Sequence, residues 1–101
     1  MGAVSQKGAE FLIRSRIADA ERGNVDALFD LGVAYSTGRG GAPVDLIEAH
    51  KWFNLAALSG STRAQECRAE IALEMTAREI AEAQRQARAW LAVSGSARRA
   101  A

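Results

Sequence analysis

The side chains that most often catalyse reactions or bind metals are scarce in this sequence. Its 101 residues include one histidine, His50, and one cysteine, Cys67. A histidine works as an acid, a base or a metal ligand only with suitable partners, and on a helix these lie three or four residues away. For His50 they are Ile47 and Asn54, which supply no titratable partner. We therefore interpret His50 as a structural residue, exposed or half-buried.

Cys67 falls on the apolar stripe of a predicted helix, which favours a buried, unreactive thiol over a nucleophile. A single cysteine has no partner for an internal disulfide. The glycine-rich segment 38–41 has no strand before it, so we interpret it as a turn and not as a phosphate-binding loop. The sequence thus predicts a protein that is not an enzyme, with no catalytic residue, no metal site and no cofactor.

Arginine side chains lie on one side of the last predicted helix, where they would suit phosphate contacts. They are Arg78, Arg85 and Arg88, and Arg98 and Arg99 follow in the tail. Glu79 and Glu82 interrupt this positive charge. We therefore expect a solvated outer face, since the end of a repeat array needs a polar exterior.

The overall composition excludes several classes of protein. Thirteen basic and twelve acidic residues give a net charge of +1, which argues against a nucleic-acid binder, and 49% hydrophobic residues argue against general disorder. No apolar run is long enough for a membrane span, and residues 1–10 lack the apolar core of a secretory signal. We expect a cytoplasmic protein. Eleven arginines against two lysines suggest a bacterial source.

Helix-favouring residues and helix-ending signals predict an all-α chain. Alanine accounts for 22 residues and proline for one. Apolar residues recur at intervals of three and four, and the capping residues are Asn24, Asp45, Ser61 and Thr76. The predicted helices cover residues 6–21, 25–37, 46–58, 62–75 and 77–92. We expect a flexible N-terminus at 1–5, one domain at 6–93 and a disordered tail at 94–101.

The chain repeats itself with a period of about 37 residues. Gly23 and Gly60 are 37 residues apart, and so are the capping residues Asn24 and Ser61. Two helices per period are typical of helical-hairpin solenoids, in which each unit buries its apolar face against its neighbours. A simple helix bundle has no reason to keep such a period.

One stretch, residues 23–60, carries a pattern of glycines, small residues and aromatics. Its members are Gly23, Ala27, Leu31, Gly32, Tyr35, Gly38, Gly40, Asp45, Ala49, Trp52, Phe53, Ala56, Ala57 and Gly60. This pattern resembles the Sel-one-like repeat, which is related to the tetratricopeptide repeat. The resemblance implies a right-handed α-α superhelix of about two repeats plus a leading helix. It also implies a scaffold or adaptor that binds a protein or peptide.

Gly32 lies in the middle of a predicted helix, where glycine costs about 0.5 to 1 kcal/mol relative to alanine. Such a position implies that a neighbouring helix comes very close. We expect that helix to contribute Ala49, Phe53 and Ala56.

In hairpin repeats of this type the first helix of each unit lines an inner surface. We assign to this inner surface the residues Asp26, Phe29, Val33, Ser36, Arg63, Glu66, Glu70 and Leu73. Phe29 and Val33 are its apolar pair, and the alternative is that the first helix of the chain covers them. The second functional hypothesis is a structural module that forms a homodimer through the same surface or through the repeat ends.

Overall fold

The computed structural model describes the backbone of residues 6–100 and the side chains of residues 7–94. The helices are α1 (Gln6–Glu21), α2 (Val25–Thr37), α3 (Leu46–Leu58), α4 (Thr62–Ala72) and α5 (Ala77–Ala100), with a short 3-10 turn at Arg39–Gly41. Within residues 6–100 there is no strand. The predicted all-α fold is confirmed, and α1, α2 and α3 have the predicted bounds.

The last two helices do not end where the sequence predicted. α4 ends at Ala72 instead of 75, because Leu73, Glu74 and Met75 donate their N–H groups to carbonyls three residues back and tighten the chain into a turn. α5 continues to Ala100 instead of ending at 92. Backbone of residues 94–100 is thus helical where we expected a disordered tail, since helix propagation needs only local hydrogen bonds. Residues 1–5 and 101 lie outside the described chain.

The predicted capping residues start the helices. The side chains of Asn24 and Ser61 each accept a hydrogen bond, at 3.1 Å, from the backbone N–H three residues on. At α5, Thr76 and Glu79 form a reciprocal capping box. Glu79 N–H donates to Thr76 Oγ1 at 3.1 Å, and Thr76 N–H donates to Glu79 Oε1 at 2.8 Å. Each cap satisfies backbone donors that the first turn of a helix leaves free.

Asp45 caps the third helix, and Glu48 stands three residues on, at the position that a capping box requires. The Asp45 carboxylate accepts hydrogen bonds from the N–H groups of Ile47 and Glu48, both at 3.1 Å. The Glu48 side chain does not complete the box. It accepts instead from Lys51 Nζ at 3.0 Å and from Trp52 Nε1 at 3.2 Å. Glu48 therefore holds the indole that α5 packs against.

α3 is the central helix of the fold, since α2, α4 and α5 all pack on it and α1 packs on α2. Small side chains allow this close approach: Ala49, Ala56 and Ala64 are fully buried. α5 joins α3 through Trp90, whose ring lies 4.8 Å from that of Trp52 in an edge-to-face arrangement. The two helices lining the inner surface, α2 and α4, are thus positioned by their common neighbour.

Gly32 lies where the close approach was expected. Its position is buried, and a Cβ atom added there would overlap the ring of Phe53. Phe53 itself is only 1% exposed. The predicted contact between Gly32 and Phe53 is confirmed, and it lets a large ring fill the space between α2 and α3.

Leu12 of α1 and Leu91 of α5 belong to the apolar residues that recur at intervals of three and four, and this spacing predicts that they are buried. They are exposed instead, Leu12 to 44% and Leu91 to 38%. Both lie at the edge of the apolar stripe of their helix. None of the helices in the described part of the chain is both long and apolar enough to span a membrane.

Candidate functional site on the inner surface

On the inner surface, Phe29 of α2 contacts Arg63 of α4. The Arg63 guanidinium carbon lies 5.2 Å from the centre of the Phe29 ring. On its other side Phe29 packs on Phe53, with ring centres 5.5 Å apart. Phe29 is half-buried, so it rests on the core without being enclosed by it. This aromatic ring and its cation form the centre of the surface.

Val33 lies on the same surface but on the side of α1. Together with Leu12 of α1 it lines a groove of about 220 Å³ between α1 and α2. An ion pair crosses this groove, from Arg16 Nε to Asp30 Oδ2 at 3.6 Å. The alternative, in which α1 covers both Phe29 and Val33, therefore applies to Val33 only. Phe29 packs on α3 and α4.

Acidic side chains surround this apolar strip. Asp26 on α2 and Glu66 and Glu70 on α4 are exposed, and none forms an ion pair with a described side chain. Leu73, at the end of α4, is 88% exposed. The surface thus combines an apolar centre with unpaired negative charge and a single cation, Arg63.

Ser36 is half-buried, and its hydroxyl donates to the backbone oxygen of Val33 at 3.2 Å. The neighbouring Thr37 hydroxyl donates to the same oxygen at 2.7 Å. Both hydroxyls already have an acceptor within the helix. Ser36 therefore contributes shape to the inner surface more than hydrogen-bonding capacity.

His50 is buried, with 3% of its surface exposed, which corrects the expectation of an exposed or half-buried residue. Its Nδ1 atom has no hydrogen-bond partner among the described residues. Burial lowers the pKa of His50, and the nearby Arg68 guanidinium lowers it further. Arg68 donates to Asn54, one turn after His50. The sequence did not reveal this because the burial of the imidazole depends on how the neighbouring helices pack on α3.

Cys67 is half-buried instead of fully buried. Burial raises the pKa of its thiol, and the carboxylate of Glu70 raises it further. The thiol form is therefore favoured over the nucleophilic thiolate, in keeping with the expectation of an unreactive cysteine. No group of three potential metal ligands occurs among the residues that the structure places.

On α5, an acidic neighbour neutralises one of the arginines, as the sequence suggested. Arg85 Nη2 lies 2.6 Å from Glu82 Oε2. Hydrogen bonds from Arg85, then from Gln86, hold the pKa of Glu82 down at about 2. Arg78 and Arg88 stay exposed on this outer side.

Sequence reasoning missed the contribution of α1 to the surface. Leu12, Arg16 and Asp30 line the groove beside Val33, and none was assigned to the inner surface. The one available signal was that Leu12 lies at the margin of its apolar stripe. Which charged residues pair between α1 and α2 depends on the register of the two helices. The spacing of residues within one helix does not determine that register.

A family model for the Sel1 repeat, a helical repeat related to the tetratricopeptide repeat, matches residues 25–61. This range spans α2, the glycine-rich turn, α3 and the Ser61 cap of α4. Neither a curated protein nor a solved structure matches the chain.

Proposed function

Since residues 25–61 are a Sel1 repeat, a kind of repeat that generally mediates protein–protein interaction, we propose that this chain is a non-catalytic adaptor. Its ligand is a protein or peptide segment that docks on the inner surface. The docking site is centred on Phe29 and Arg63 and extends along α2 towards Val33 and Leu12.

The half-buried Phe29 ring under the Arg63 guanidinium carries this proposal. Aromatic and arginine side chains are enriched among the residues that dominate binding energy at interfaces. A ring already held between Phe53 and the Arg63 guanidinium loses little conformational entropy when a ligand covers the part that stays exposed. The pair is therefore a rigid anchor for an apolar ligand side chain.

The charges around the anchor indicate the class of ligand. Asp26, Glu66 and Glu70 are exposed and unpaired within the described chain, so they favour a segment with lysine or arginine beside its apolar residues. A helical segment with anchors three or four residues apart fits a surface made of two helices. The proposed ligand is thus a basic amphipathic segment.

Selection from a random peptide library displayed on phage tests this proposal. We expect the selected peptides to combine an apolar residue with lysine or arginine. Their binding should be lost with Phe29→Ala and retained with Phe11→Ala, which removes an equally large ring outside the inner surface. Selected peptides that bind wild type and Phe29→Ala equally well would contradict the proposal.

A further inference from the structure

The first helix presents an exposed stripe that its main packing contacts leave free. Lys7, Phe11 and Arg14 are spaced by four and three residues, so they form one stripe along α1, and Glu10 places one carboxylate between the two cations. Arg14 lies at the margin of the stripe, where it lines a groove with Tyr35 and Pro43. α1 packs through the opposite side, where Ala9 and Ala20 are buried. The stripe of Lys7, Phe11 and Arg14 is called the outward face of α1 below.

Phe11 is 72% exposed, and the two flanking cations are exposed as well. Neither Lys7 nor Arg14 forms an ion pair with another described residue. A large aromatic in water is unfavourable, whereas an aromatic flanked by unpaired cations is a good anchor for an acidic, partly apolar surface. The outward face of α1 therefore has the chemistry that the inner surface is proposed to bind.

The inner surface supplies the complementary features. α2 and α4 both pack on α3 and meet each other only over a short stretch. They form two walls, which come into contact where Phe29 of α2 meets Arg63 of α4. Asp26 lies on one wall, and Glu66 and Glu70 lie on the other. A helix carrying one aromatic and two cations would place the ring near Phe29 and the cations near these carboxylates.

We infer that the outward face of α1 of one copy docks on the inner surface of a second copy. This inference rests on the proposed function of the inner surface and names a second copy of the chain as an occupant. The two surfaces are different, so the contact is heterologous and leaves one free α1 and one free inner surface at the ends of every assembly. Assemblies therefore grow with concentration beyond two chains.

Sedimentation velocity of two complementary variants tests this inference. Glu66→Lys/Glu70→Lys reverses the charge of the inner surface and leaves α1 intact, whereas Lys7→Ala/Phe11→Ser removes one cation and the ring from α1 and leaves the inner surface intact. All four residues are exposed, so both variants should fold, which circular dichroism checks. Each variant alone should lose self-association, and an equimolar mixture should form a complex of two chains that grows no further.

Two control variants separate this interface from general effects. Leu58→Ser removes another exposed apolar side chain, and Glu21→Lys/Ala81→Lys/Gln84→Lys adds the same positive charge outside both surfaces. Both should still self-associate. Self-association by the Glu66→Lys/Glu70→Lys variant alone, or a mixture without a complex, would overturn the inference.

A wild-type chain that stays monomeric up to high micromolar concentration would also overturn it. That result would leave the proposed function standing, because peptide binding by the inner surface is measured separately. Peptides selected for the inner surface should dissociate the wild-type assemblies, since both ligands use the same site.

Discussion

At the scale of single residues, side-chain size decides how closely α2 and α3 approach. Gly32 has no Cβ, and the ring of Phe53 occupies the space that a Cβ would need. The sequence allowed this contact to be predicted because glycine in mid-helix has a conformational cost that only packing offsets. It did not allow the burial of His50 to be predicted, since that depends on how the other helices pack on α3.

Gly32→Ala should destabilise the protein even though alanine is the better helix former. The added methyl group overlaps the Phe53 ring, and overpacking of this kind costs about 1 to 3 kcal/mol. Asp30→Ala, two residues earlier on the exposed side of the same helix, should change stability much less. Chemical denaturation measures both free energies of unfolding. Equal losses for the two variants would refute the close-contact interpretation of Gly32.

His50 should make stability depend on pH in the mildly acidic range. Its pKa is lowered in the folded protein, so below the unfolded value of about 6.5 the unfolded chain binds more protons than the folded one. The stabilisation is complete above that pH and is lost as the pH falls towards the folded pKa. His50→Gln should show a weaker decrease in the free energy of unfolding between neutral and mildly acidic pH. Identical pH profiles for both proteins would count against this role.

At the scale of helices, the beginnings were predictable and the ends were not. Asn24, Asp45, Ser61 and Thr76 carry side chains that bond to the first turn, and each begins the helix it was predicted to begin. The ends of α4 and α5 lack an equally specific local signal. Hydrogen bonds to carbonyls three residues back end α4 early, and no proline stops α5 before Ala100.

Thr76→Ala tests the cap that sets the start of α5. The change removes the acceptor for the Glu79 N–H and should cost about 1 kcal/mol, the usual loss for an N-cap. Thr62→Ala is the matched control, because Thr62 is exposed in the first turn of α4, where Ser61 supplies the cap. Thermal unfolding of both variants gives the comparison. A larger loss for Thr62→Ala than for Thr76→Ala would contradict the assigned caps.

The inner surface was predictable one helix at a time. Positions off the buried stripe of α2 could be identified from spacing alone, and Phe29 is half-buried at such a position. Its contact with Arg63 requires the register between α2 and α4, and Leu12 beside Val33 requires the register between α1 and α2. Neither register follows from the spacing of residues within one helix.

At the scale of the whole molecule, a net charge of +1 conceals a separation of charge. Unpaired carboxylates outnumber the single cation Arg63 on the inner surface, whereas Lys7 and Arg14 outnumber Glu10 on the outward face of α1. Composition alone excluded a strongly basic or acidic protein correctly, but it averages over faces that point in different directions. The arrangement of charge, and not its total, determines which ligands the surface attracts.

Backbone amide NMR of the labelled protein, titrated with a peptide selected for binding, shows where on the molecule the ligand docks. If the inner surface is the binding site, shift changes should cluster on α2 and α4, around Phe29, Val33 and Glu66, and α5 should change little. Shift changes concentrated around Trp52 and Trp90, on α3 and α5, would contradict the account.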